Sequence, residues 1–111
     1  MVGKAPGKAA AVFAALGDET RLRIVQRLAR GEPVSITELS AGGKITRQAV
    51  TKHLHVLAGA GLARGSKTGR EQLWSLENKP MEEARAFLDA VSRRWDDALS
   101  RLKNILEEEQ S

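Results

Sequence analysis

The chain has 111 residues, 41% of them hydrophobic, enough for one modest core and too few for a second domain. It contains no cysteine, which excludes disulfides, thiolate metal sites, cysteine nucleophiles and thiol switches. The net charge of +4 is concentrated: residues 44–71 carry six basic side chains against one acidic, whereas residues 72–111 carry six against nine.

Residues 1–8 read as a flexible N-terminus without the apolar run of a secretion signal, and residues 9–109 as a single domain. Ala9–Leu16 (AAAVFAAL) is apolar on all sides over about two helical turns, so a helix there needs cover. Gly17 breaks the run, Asp18 caps a second helix, and Leu22, Val25, Leu28 and Ala29 mark its buried stripe before Gly31 and Pro33 stop it. Ser35 and Glu38 stand three apart as a capping box for a short third helix, with Ile36 and Leu39 inward. After Gly42 and Gly43, Thr46 caps a fourth helix, Ile45 and Val50 form a hydrophobic staple across the cap, and Gly59 and Gly61 close it.

From Leu62 the hydrophobic period becomes two. Leu62, Arg64 and Ser66 point one way on a first strand, Trp74 and Leu76 point inward on a second, and Lys67, Thr68, Gly69 and Arg70 form the hairpin tip. Asn78–Pro80 opens a long helix over about residues 80–109, roughly 45 Å at 1.5 Å per residue. This order predicts a mainly α winged helix-turn-helix fold with five helices and a β-hairpin wing.

The fourth helix carries the functional signal. At 100° per residue, Arg47, Gln48, Thr51, Lys52 and His55 share an arc of roughly 140°, with Val50, Leu54 and Leu57 opposite. Arg and Gln are side chains that pair with guanine and adenine edges, and Lys52 suits a phosphate. No acid occurs between Glu38 and Glu71, although a merely soluble face would intersperse both signs. The expected DNA contacts are therefore Thr46, Arg47, Gln48, Thr51, Lys52 and His55 on the recognition helix, with Lys44, Arg64, Lys67, Thr68 and Arg70 on the wing and flank. Arg47 and Gln48 are expected to read bases, and Lys67 and Arg70 to touch the backbone.

Along the last helix Ala84, Leu88, Val91, Trp95, Leu99, Leu102 and Leu106 recur at steps of three and four, a stripe longer than this small domain can cover. A homodimer through the first and last helices would bury it. The expected interface is Val12, Phe13, Leu16, Leu88, Val91, Trp95, Leu99, Leu102 and Leu106.

The segments LGDETRLRIVQRL, TRQAVTKHLHVLAGAGL and GREQLWSL resemble the ArsR family of winged-helix repressors, over most of the chain. The C-terminal WDDALSRLKNILEE resembles a subset of that family without the cysteine metal-binding motif. The resemblance implies a homodimer that represses a nearby promoter and releases it on a signal. The signal is open among a small molecule, a partner protein and the regulator's own concentration, and a cytoplasmic location is expected from the lack of an apolar span or secretion signal.

The family's metal-sensing cysteines are missing, since the matching stretch Ser35–Ala41 reads SITELSA. His53 and His55 lie about 200° apart on a helix and cannot share one ion, so no metal and no cofactor is expected. His53 is read as a structural histidine bonded to neighbouring backbone. The acids Asp89, Asp96, Asp97 and Glu107–Glu109 read as a solvated face. No enzyme is expected, because the chain has no Tyr, no phosphate-cradling glycine loop and no triad-like histidine. No membrane partner is expected. The alternatives within the same fold are a protein-interaction module and a non-specific DNA binder.

Overall fold

A computed structural model of the chain describes residues 5–110 and consists of five helices and one three-stranded sheet among them. The helices are α1 (Ala5–Leu16), α2 (Glu19–Leu28), α3 (Ile36–Leu39), α4 (Arg47–Gly59) and α5 (Asn78–Gln110); the strands are β1 (Val34–Ser35), β2 (Ala63–Thr68) and β3 (Glu71–Leu76). The expected flexible start is outside the described residues for 1–4, while residues 5–8 already belong to α1.

Local chemistry sets the boundaries. Asp18 accepts from the Arg21 backbone N–H to cap α2, and Ser35 and Glu38 form the reciprocal capping box of α3. Thr46 caps α4 by accepting from Ala49 N–H. At the other end of α4 the Gly61 and Leu62 N–H groups return to the Ala58 and Leu57 carbonyls, a Schellman motif in which Leu62 and Leu57 are both fully buried. In this way one turn ends the helix and launches the wing.

The core gathers Val12, Ile24, Val25, Leu28, Val34, Val50, Leu54, Leu57, Leu62, Ala63 and Trp74 from every element except α3, and Ala84 from α5 closes it. Ile36, Leu39 and Ile45 pack against its edge. The sheet runs in the order β1-β3-β2, all antiparallel. Gly65 pairs with Trp74, and a Cβ there would meet the indole at 3.3 Å and the Gln72 amide at 2.6 Å, so glycine is what lets these side chains lie across β2. The tip is a two-residue turn, with Gly69 at φ 64° and Arg70 at negative φ, the pattern of a type II′ hairpin.

Three expectations are corrected. The buried stripe of α2 is Ile24, Val25 and Leu28, while Leu22 is 46% exposed and Ala29 is also exposed, because α2 is covered on the side one residue round the helix from the expected stripe. Leu62 does not share a face with Arg64: the Gly61 turn before the strand sends it into the core, and Arg64 stays in solvent. The sheet has a third strand, Val34–Ser35, which pairs with Trp74 and Leu73 and covers the outer edge of β3. No described helix is long and apolar enough to cross a membrane.

Candidate nucleic-acid interface

With Val50, Leu54 and Leu57 locked in the core, the opposite face of α4 is turned outward by helical geometry. Arg47, Gln48, Lys52 and His55 are exposed there, and Thr51 is half-buried with its hydroxyl donating to the Arg47 carbonyl at 2.8 Å. Gln48 and Lys52 make no hydrogen bond or ion pair within the described residues and are free to meet a ligand. Thr46 is exposed, and its oxygen is engaged as the helix cap.

The wing stands beside this face. The His55 ring lies 6.3 Å from that of Trp74 on β3, which brings the middle of α4 against the base of the hairpin. At the other end Arg47, Thr37, Arg70 and Gln72 border one open cleft of about 330 Å³ between α3, the start of α4 and the wing. Lys67, Thr68 and Arg70 are all exposed at the hairpin tip, and Lys44 is exposed in the turn before α4. Arg64 reaches Glu77 at 3.8 Å, an exposed pair that a phosphate could displace at little cost. The cleft thus brings Arg47 of the helix and Arg70 of the wing to one border, which Glu71 shares, while Lys44, Lys52, Lys67 and Thr68 are exposed outside it.

What holds α4 in place is partly polar. The Arg21 guanidinium on α2 approaches His53 Nδ1 at 3.3 Å and also donates through Nε to the Ala15 carbonyl. Asp18 stands 3.9 Å from the same ring. His53 is therefore structural, but its partners are the side chains of α2 rather than the neighbouring backbone expected from the sequence. The Arg21 backbone N–H, more than any other group, holds the Asp18 carboxyl below the usual aspartate range.

Arg47 is not free on the helix face: its Nη1 donates to Thr37 Oγ1 at 2.7 Å. Nothing in the pattern SITELSA sets the Thr37 hydroxyl apart from those of Ser35 and Ser40, so the sequence does not single it out.

The last helix shows a second surface. Leu88, Trp95, Leu99, Leu102, Ile105 and Leu106 are each more than half exposed, Trp95 at 65%. Val91 is half-buried. Phe13 of α1 meets Phe87 of α5 at 6.1 Å, so α1 packs on the first half of α5 within one chain. This corrects the expected role of Val12, which is 2% exposed and has no surface left for a second copy. Leu16 and Phe13 are half-buried, whereas Ala10, Ala11 and Ala14 face outward on α1.

Residues 16–65 match the family model of a helix-turn-helix domain, a span that runs from the end of α1 into the wing. An HTH-type transcriptional regulator of Mycobacterium tuberculosis is 35% identical over 95 residues, covering 86% of this chain and 85% of that protein. A protein of Synechocystis named as a transcriptional repressor SmtB homolog is 36% identical over 64 residues, 58% of this chain and 48% of that one. Among solved structures, an ArsR-like transcriptional regulator from Rhodococcus superposes with a TM-score of 0.75 at 34% identity, covering 89% of this chain and 92% of the other. The exposed recognition-helix face, the adjoining wing and these relatives agree: the chain belongs to the ArsR family of winged helix-turn-helix transcriptional regulators, which bind DNA.

Proposed function

We propose that the protein is a dimeric repressor of the cytoplasm that occupies a promoter operator by sequence-specific binding to double-stranded DNA, residues 9–109 acting as its DNA-binding domain. The observation that carries this is the acid-free outer face of α4, with Gln48, Lys52 and His55 exposed, set beside a wing that ends in Lys67 and Arg70. Thr46, Arg47, Thr51, Lys44, Arg64 and Thr68 complete the contact surface.

Dimerisation is supported by the apolar stripe of α5, because six large side chains in water along one helix are a surface that a twofold copy would cover. Phe13, Leu16, Leu88, Val91, Trp95, Leu99, Leu102 and Leu106 form that interface, and two recognition helices would then meet half-sites about one DNA turn apart. Repression is favoured over activation by the Synechocystis relative's name. A small molecule or a partner protein releases the operator.

The test is a fluorescence-anisotropy titration against DNA from upstream of the protein's own gene, with unrelated DNA as competitor, at two salt concentrations. Tight binding that the competitor fails to displace is expected. Equal binding to every duplex would make this a non-specific DNA binder, and no binding at all would favour a winged helix that docks on protein.

A further inference from the structure

We propose that Arg47 holds a DNA backbone phosphate rather than a base, in the cleft between α3 and the wing, with Thr37 as its positioning residue. This rests on the DNA-binding reading above and divides the labour within it. Direct base reading then falls to Gln48 and His55.

Arg47 is the first residue of α4, where an unrestrained guanidinium would be free to follow the helix into a groove. The 2.7 Å bond to Thr37 Oγ1 instead ties it to a side chain ten residues earlier on another helix. The tether turns the fork toward the cleft of about 330 Å³ that Arg70 and Gln72 border from the wing. Two arginines that border one open cleft, one from the start of α4 and one from the wing, suit a phosphodiester, which accepts hydrogen bonds from several directions. A guanine edge needs both donors aligned with O6 and N7 in the plane of the base, which the tether does not favour. The Glu71 carboxylate also borders the cleft and opposes an anion there, which gives the assignment a test of opposite sign. Gln48, next along the helix, is exposed and unengaged, so its amide is free for an adenine edge.

The experiment measures the full-length protein by anisotropy on its preferred duplex and on single-base-pair variants of that duplex, across a salt series. Arg47, Thr37, Gln48 and Glu71 are all exposed, so their variants should keep the fold. Arg47→Ala is expected to weaken all duplexes by one common factor and to reduce the salt slope by about 0.9 per bound subunit. Thr37→Val should give a smaller uniform loss, and should add nothing when Arg47 is already alanine. Glu71→Gln should tighten every duplex alike. Gln48→Ala should instead shrink the discrimination between duplexes, by roughly 5- to 150-fold at one base pair, the equivalent of about 1–3 kcal/mol. Loss of preference at a base pair in Arg47→Ala, with the salt slope unchanged, would overturn the assignment. A wild-type protein that discriminates among no duplexes would overturn the DNA-regulator reading itself, and this assignment with it.

Discussion

The winged-helix body and the second half of α5 use the same amphipathic code and meet opposite fates. In the body, apolar residues spaced for one helix face, such as Val50, Leu54 and Leu57, lie fully buried in their own chain. Along α5, residues spaced in the same way, from Trp95 through Leu99 and Leu102 to Leu106, stand in solvent. The 33-residue helix is roughly 50 Å long at 1.5 Å per residue, in a molecule 71 Å long and only 30 and 20 Å across, and its second half carries its apolar residues beyond the core that the other elements build. Periodicity reports which face seeks cover; whether cover lies within the chain is set by the length of the element relative to its neighbours.

The largest effect should come from the body. Leu57→Ala removes a fully buried side chain at the junction of α4 and the wing, and should lower stability by about 2–5 kcal/mol in urea unfolding. A loss under 1 kcal/mol would mean that the junction repacks, and the contrast with α5 would weaken. Trp95→Glu should next separate the proposed dimer in sedimentation velocity while leaving the helical circular dichroism of the body intact, because a charge would be placed in the proposed apolar contact. A variant that stays dimeric would place the interface elsewhere.

Smaller changes sharpen the contrast at the ends of helices. Thr46→Ala removes the α4 cap and should cost about 1 kcal/mol, with a matching loss of DNA affinity if the helix start frays. Full affinity at reduced stability would show that the cap serves the body alone. The smallest effect concerns Asp18, whose folded carboxyl is held below its usual range by the Arg21 N–H. A depressed folded value means that the cap's contribution is complete above the unfolded value and fades as pH falls through the folded one. Thermal melts of wild type and Asp18→Asn should therefore diverge least in strong acid and most at neutral pH. Parallel curves throughout would remove Asp18 as the source of acid sensitivity.

Much of this was legible in the residues themselves. The caps at Asp18, Ser35 and Thr46, the glycine stop of α4 and the two faces of the recognition helix follow from local chemistry, and each is where the sequence places it. What was not legible depends on contacts distant in the chain. The strand Val34–Ser35 is two residues long and exists because β3 offers it an edge. Leu22 and Val12 each satisfy a helical pattern, yet their burial is decided by how α1, α2 and α5 rotate against one another. The engagement of Arg47 with Thr37 spans ten residues and two helices, and no local pattern announces it. The same holds for His53, whose side-chain partners on α2 lie over thirty residues away.

The most direct test of the whole account is selection from a pool of random duplexes with the full-length protein, followed by sequencing of the bound fraction. A dimer that reads DNA with two α4 helices is expected to enrich an inverted repeat whose halves are centred about one helical turn apart. An enriched single half-site would contradict the pairing through α5, and a pool that stays random would contradict sequence-specific regulation.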